Sequence, residues 1–358
     1  MKWQVWLTGV LVVLLSGCGG DTPAAGLNEQ EQEQEQELRS WLDSRTTDVP
    51  FTLLLASQSG AQFRHSTGNS TADTQYESAS TSKLVTAVVI LDLVEDGVLS
   101  LSDHPQDHIS GWPGTGLLAE ITLQQLLNFT SGLTTEAPCQ NFPNAGFANC
   151  VLRIAELNDN PPTPGTEYHY GSPHLQVAGL MALNAAIAAG RLDAGSGWGD
   201  LFANFKTAYG LFSASAYDLP SANNPRLAGG MHWTGTDMMA FLQALATGAI
   251  LEAETWEEMR TALAAEVDIT SSPAADLNLS WGYGYGLWLE TCTGTHTGCV
   301  SSRISSPGAY GAYPFIDVER QYWGLLARQG ALGTFNKGYE LMNAARPLLD
   351  NWAALAAD

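Results

Sequence analysis

Positive charge is scarce in this chain. Lysine and arginine number 15 against 37 aspartates and glutamates, a formal net charge of −22, and only four residues are lysine. Binding nucleic acid or an anionic bilayer through a folded surface needs a basic face, which this composition does not supply. The acidity reads instead as a solvated surface, suited to a salty habitat. Cysteine is also sparse, at five residues. The N-terminal apolar run is too short to cross a bilayer, which takes roughly 20 residues. No HExxH, P-loop or GxGxxG within a βαβ unit occurs, so zincin, P-loop and dinucleotide chemistry lack their signatures. His65, His104, His108, His169, His174 and His232 are scattered, and surface or core roles are their default. What remains is ample core material. The 45% hydrophobic residues in 358 are enough for one large domain, or for one domain of two lobes.

The first residues read as a targeting segment, with Lys2 as the basic start and Trp6 to Leu15 as a short apolar core. Leu15-Ser16-Gly17-Cys18 follows. It resembles the lipobox of bacterial lipoproteins, which implies cleavage before Cys18 and a lipid on its thiol. An ordinary secretory leader is the alternative. Gly19 after the cysteine implies, by the same resemblance, outer-membrane sorting in an exported, periplasm-facing lipoprotein. We therefore divide the chain into a leader at 1–17, a lipidated cysteine and Glu/Gln-rich tether at 18–36, and a domain at 37–358. Contact with a membrane is expected through the lipid alone, and no obligate protein partner is inferred. Setting Cys18 aside leaves Cys139, Cys150, Cys292 and Cys299. Three pairings are possible, and proximity favours Cys139 with Cys150 and Cys292 with Cys299, each stapling a loop in an oxidising compartment. A metal site is the rival reading, but CxxC spacing and nearby zinc-type histidines are missing.

Along the domain, LRSWLDS from Leu38 opens a helix. Phe51 to Ser57 and Gln62 to His65 form a hairpin, and Leu84 to Val94 is a buried helix ending near Gly97. Helical patterns follow at Leu123 to Phe129, Gln176 to Ala189 and Met238 to Ala246. Strand-like aromatic segments return at Trp281 to Trp288 and Tyr322 to Arg328, before a last helix over Tyr339 to Leu349. Strands at both ends with helices between predict an α+β fold. An antiparallel sheet (about 37–85 and 278–358) would be flanked by the terminal helices, beside a mostly helical lobe (about 86–277).

The position of one lysine carries the chemistry. In Tyr76-Glu77-Ser78-Ala79-Ser80-Thr81-Ser82-Lys83, the lysine lies between a run of hydroxyls and an apolar helix. Ser80 and Lys83, three apart at the helix start, project from one face. A serine hydroxyl is a poor nucleophile until a base takes its proton. A lysine deprived of water near the positive end of a helix can be that base. SxxK alone is weak, because Ser80 as a helix cap and Lys83 reaching outward fit the same spacing.

Further landmarks follow in order: Leu126-Leu-Asn-Phe-Thr-Ser-Gly-Leu133, Pro164-Gly-Thr-Glu-Tyr-His-Tyr-Gly-Ser172, and Arg226-Leu-Ala-Gly-Gly-Met-His-Trp-Thr-Gly-Thr-Asp237. With the SxxK they resemble the active-site segments of the serine β-lactamase-like superfamily, in its class C, D,D-peptidase and family VIII esterase branch. The likeness runs from about residue 38 to 350. It implies Ser80 as nucleophile, Lys83 as its base partner and Tyr170 as a second proton-transfer group whose anion the lysine stabilises, with Tyr168 as the nearest decoy.

Two positions depart from the family pattern. Ser172 stands where an asparagine usually binds a substrate amide, and one hydroxyl cannot reproduce an amide's paired contacts. Ser306, in Ser306-Pro-Gly-Ala-Tyr-Gly311, stands where a lysine or histidine is usual, which removes an obvious anchor for a substrate carboxylate. Arg303 lies just upstream, and His296-Thr-Gly298 sits inside a short cysteine loop as a decoy. Gly308 would let the backbone approach, and the N–H groups of Ser80 and Ala309 would form an oxyanion hole. Tyr283, Tyr285 and Trp288 could line an acyl pocket, although aromatic strands more often simply pack.

The resemblance implies a serine hydrolase working through an acyl-enzyme, without metal or organic cofactor, on a small carboxylic ester. The alternatives are a D,D-peptidase, an amidase or a weak β-lactamase acting on cell-wall or oligoamide substrates. A non-catalytic, penicillin-recognising lipoprotein is a reading of another class.

Overall fold

The computed structural model describes residues 29–262, 267–293 and 297–355. Cys18 and the leader, and His296, lie outside the described residues. The expected α+β architecture is observed. A seven-stranded sheet runs in the order Gln62–Ser66, Thr52–Ser57, Tyr322–Ala327, Tyr313–Asp317, Arg303–Ser305, Trp288–Thr293 and Trp281–Tyr283. Every pairing within it is antiparallel. The strand near the N-terminus thus pairs with the last strand of the chain, Leu54 opposite Leu325.

Both faces of this sheet are covered, so its central strands are apolar on both sides rather than alternating. Leu53, Leu55, Tyr322 and Leu326 pack with Leu38, Leu42, Met342, Leu349 and Trp352 of the two terminal helices, Glu29–Asp43 and Phe335–Leu355. Leu54, Trp323, Leu325 and Ala327 face the other way into the larger core. That core includes the helices Ser82–Glu95, Pro173–Ala188 and Gly235–Ala246. Helix Ser82–Glu95 is buried around nearly its whole circumference. This explains its unbroken apolar sequence, since a one-sided stripe suits only a helix with one wet face.

Two readings of local structure change. The Glu/Gln repeat expected as a tether is helical from Glu29, continuous with the helix that Leu38 and Leu42 anchor. Glutamate and glutamine are good helix formers, so once a neighbouring turn is docked the helix extends through them. Trp281 to Trp288, read as one strand, is a hairpin whose turn passes through Gly284 and Gly286. Both disulfides form as proximity favoured, Cys139–Cys150 and Cys292–Cys299.

Candidate active site

The nucleophile turn is a short 3-10 segment, Ala79–Thr81, feeding directly into helix Ser82–Glu95. Ala79 has φ 43°, a left-handed conformation that costs a non-glycine residue about 1–3 kcal/mol. The surrounding contacts hold it there. Ser78 N–H donates to Met231 O at 2.8 Å, and Met231 N–H donates back to Ser78 Oγ at 3.1 Å. The strained turn presents Ser80 at the wall of a cleft of about 370 Å³ that is also lined by Glu136, Gln140, Ser172, Arg226 and Tyr310.

Lys83 is 4% exposed, and its Nζ donates to Ser80 Oγ at 2.9 Å and to Ala228 O at 2.8 Å. Among the described residues it has no carboxylate within ion-pair distance. Loss of water around the ammonium drives its pKa down to about 7. Glu136 pulls the value up and Arg226 pushes it further down. At neutral pH a large fraction of Lys83 is therefore the free amine, able to take a proton from the hydroxyl it contacts.

Tyr170 closes the third side. Its ring stacks on Trp288 at 5.2 Å, meets Tyr283 edge-on at 5.9 Å and lies 4.7 Å from Lys83 Nζ, centroid to nitrogen. Burial raises its phenol above the ordinary tyrosine value, and the neighbouring Ser80 hydroxyl partly offsets this. The sequence reading gave Tyr170 an anion stabilised by the lysine. Here desolvation outweighs that help, so Tyr170 keeps its proton at neutral pH and Lys83 is the group near its titration point. Tyr168, the decoy, packs behind on Tyr283 and Trp288. Tyr283 and Trp288 therefore serve as packing around Tyr170, and Tyr285 turns to Gln124 and Glu258. His174, stacked on Phe129, has Nε2 on His169 O and Nδ1 on Ser131 Oγ. A carbonyl only accepts, so Nε2 carries the hydrogen and Nδ1 takes the serine's. Burial lowers the His174 pKa to about 3, which keeps the ring neutral.

The strand side fits closely. A side chain at Gly308 would place its first carbon 2.6 Å from Ser78 O, so only glycine lets this loop lie on the nucleophile turn. Ala309 follows, with its carbonyl accepting from the N–H groups of Gly333 and Thr334. No described backbone carbonyl takes the Ala309 N–H. Gly286, at φ 71°, sits equally close to the helix, where a side-chain carbon would lie 2.8 Å from Lys83 O.

Two sequence readings, Ser306 and Ser172, come out differently in space, and Arg303, whose reach the sequence leaves open, is located. Ser306 is buried, and its hydroxyl donates to Ser80 O at 3.2 Å, clamping the nucleophile's backbone rather than facing the cleft. Arg303 does not reach the site. It lies under the sheet against Glu290, Asp317 and Asp350. Ser172 does line the cleft, but its N–H and Oγ both donate to the carboxylate of Glu136. Glu136 and Arg226 were not singled out in the sequence. Both are tied to the short turn Pro138–Asn141, where Gln140 donates to Glu136 and Asn141 accepts from Arg226. The nearby Cys139–Cys150 staple was the one available signal of a fixed wall here. Among the described residues no cluster of histidine, cysteine or carboxylate is arranged to hold a metal ion.

Comparison with known proteins bears on the family and the fold. A family model described as Beta-lactamase matches residues 52–346. The chain is 32% identical over 117 residues to Protein flp of Staphylococcus aureus (strain N315), covering 31% of this chain and 23% of that protein's length. The chain therefore aligns with only about a quarter of that curated relative. Among solved structures, a candidate beta-lactamase from Bacteroides dorei DSM 17855 superposes with a TM-score of 0.73 at 24% identity, covering 89% of this chain and 98% of that one. The D-amino acid amidase of Ochrobactrum anthropi SV3 gives 0.64 at 17% identity, covering 91% and 99%. EstCE1, a hydrolase with promiscuous acyltransferase activity, gives 0.67 at 17% identity, covering 91% and 99%. At these identities the structural likenesses speak to fold.

Proposed function

The chain belongs to the beta-lactamase family, whose members are serine hydrolases, and from that premise we propose that it hydrolyses a small carboxylic ester through an acyl-enzyme on Ser80. The observation that carries this reading is the contact between the Ser80 hydroxyl and the buried, carboxylate-free Lys83 amine, at 2.9 Å. In the first step neutral Lys83 takes the hydroxyl proton as Ser80 Oγ attacks the carbonyl carbon. The negative charge that develops on the carbonyl oxygen is received by the N–H groups of Ser80 and Ala309. Tyr170, its ring lying against Lys83, hands its proton to the leaving oxygen and regains one from Lys83, so the alcohol departs neutral. Water then attacks the acyl-enzyme by the reverse relay. It gives one proton to the Lys83–Tyr170 pair, which returns a proton to Ser80 Oγ as the acid leaves.

The ester reading rests on the single hydroxyl at Ser172 and the inward turn of Ser306, which leave the usual amide-substrate contacts unfilled. Amide hydrolysis is the second reading. It is favoured by Glu136, an acid in the cleft placed to meet an amine near the scissile bond. Labelling with a fluorophosphonate followed by mass spectrometry is expected to modify Ser80, and Ser80→Ala to remain unmodified. An unlabelled wild type would instead favour a scaffold without turnover. Nitrophenyl butyrate beside a chromogenic cephalosporin separates ester from lactam turnover.

We also propose that the chain is an exported lipoprotein held in the outer membrane by Cys18. This is supported by Leu15-Ser16-Gly17-Cys18 and by two disulfides that need an oxidising compartment. Incorporation of labelled palmitate that persists in Cys18→Ser would end that proposal.

A further inference from the structure

This chain has an excess of acid, and its sheltered arginines are matched with it. Arg39, Arg260, Arg303, Arg328 and Arg346 each hold a carboxylate. Arg226 is half-buried and, alone among the described buried or half-buried arginines, has no carboxylate within ion-pair distance. It lines the cleft with Ser80. Its Nη1 donates to Asn141 Oδ1 at 2.8 Å, and its Nε is buried without a partner. A guanidinium has five N–H donors, so most of its capacity is uncommitted.

Its position is fixed. Gln176 donates to Pro225 O at 2.8 Å and accepts from Leu227 N–H at 3.1 Å, bracketing Arg226, whose own N–H donates to Leu219 O at 2.8 Å. The next two carbonyls bind the nucleophile helix, Leu227 O taking Thr86 Oγ1–H at 2.7 Å and Ala228 O taking Lys83. The cation is therefore held in register with Ser80 by backbone contacts. The nearby acids are already engaged. Glu136 accepts from Ser172 and Gln140, and Glu77 accepts from the Tyr310 hydroxyl while its main-chain N–H donates to Gln329 Oε1.

Building on the reading of Ser80 as nucleophile, we propose that Arg226 is a specificity-determining residue that anchors a carboxylate on the substrate. It would supply from the helical lobe the cation that Ser306 does not supply from the sheet. The cleft then selects small acyl compounds carrying an acid group, which a guanidinium fork grips in two parallel hydrogen bonds. The acid can belong to the acyl half or to the leaving group, and the test separates these placements.

Two matched pairs of esters decide the matter: 4-nitrophenyl monoglutarate against 4-nitrophenyl valerate, and 3-acetoxybenzoate against phenyl acetate. Wild type is expected to prefer the acid-bearing member of one pair in kcat/KM, chiefly through KM. In Arg226→Gln the preference ratio should fall about 10- to 100-fold, the range for losing one charge-assisted contact. Arg226→Lys should keep part of the preference, and Arg226→Glu should invert it, with thermal melts reporting that each variant is folded. If Arg226 served only to lower the Lys83 pKa, Arg226→Gln would shift the pH profile for both members of a pair alike and leave the ratio unchanged. That result, or a wild type without preference in both pairs, overturns the anchor. Fluorophosphonate labelling of Ser80 in the same preparations keeps the two levels apart. A labelled Ser80 with no acid preference sinks the anchor alone, and an unlabelled Ser80 sinks the reading beneath it. Slower labelling in the presence of glutarate, in wild type but not in Arg226→Gln, would support the anchor independently of turnover.

Discussion

Two of the buried cations among the described residues, Arg303 and Lys83, have opposite surroundings. Arg303 meets Glu290 at 3.3 Å, Asp317 at 3.0 Å and Asp350 at 3.5 Å, and also contacts the Tyr322 hydroxyl. The carboxylates hold its charge in place, and Tyr322 and Glu290 raise its pKa despite burial. Lys83 is just as dry but meets only a hydroxyl and a carbonyl, and its pKa falls to about 7. Burial alone does not make a cation reactive. The decisive difference is whether the fold pairs it with carboxylates, as under the sheet, or withholds them, as beside Ser80.

The comparison breaks if the two residues respond alike to removal. Lys83→Met is expected to lower kcat/KM on a nitrophenyl ester by about 10³- to 10⁴-fold, the scale for losing a positioned base. Its melting temperature at pH 7 should be unchanged or higher, because a destabilised cation has been removed. Arg303→Met should do the reverse. It strands Glu290 and Asp317 without their main counter-charge and should cost about 3–5 kcal/mol in denaturant unfolding. The folded fraction should keep its turnover. A catalytic loss without destabilisation at Arg303, or the converse at Lys83, would reverse the assignment.

Smaller effects sharpen the contrast. Tyr170→Phe keeps the aromatic cage and removes the relay proton, so a loss of about 10²-fold in kcat with little change in melting is expected. In wild type, kcat/KM should rise with pH through about 7 as Lys83 loses its proton, and this limb should vanish from the residual activity of Lys83→Met. Stability should show the same group. The folded pKa of Lys83 lies below its unfolded value, so between them the unfolded chain holds more protons and stability grows with pH, by at most about 1.4 kcal/mol per unit. Below about pH 7 both states are protonated and this contribution is flat. Comparing urea midpoints of wild type and Lys83→Met from pH 6 to 10 isolates the slope.

Much of this was legible in the sequence, for identifiable reasons. The Ser80–Lys83 pair and its dry setting are local, written in a three-residue spacing followed by an unbroken apolar helix. The antiparallel sheet joining the two ends of the chain was readable because both segments are apolar and strand-like. The cleft's charges were not. Glu136 and Arg226 sit on irregular segments, where no periodicity marks which way a side chain points, and a turn stapled by Cys139–Cys150 brings their partners together. The Gly284–Gly286 turn escaped because glycines inside an aromatic run look like punctuation of one strand. The helix at Glu29 escaped because a segment without apolar residues offers no pattern of its own.

One of those glycines has a practical consequence. The turn carrying Gly286 rests directly on the peptide of Lys83, with no room for even a methyl group. A screen for inactive clones should therefore recover Gly286→Ala, a lesion some two hundred positions downstream that alters no reacting atom. Its crystal structure should show the amine swung away from the alcohol, and repair by a second-site change is expected at Ala87, the other atom in the way.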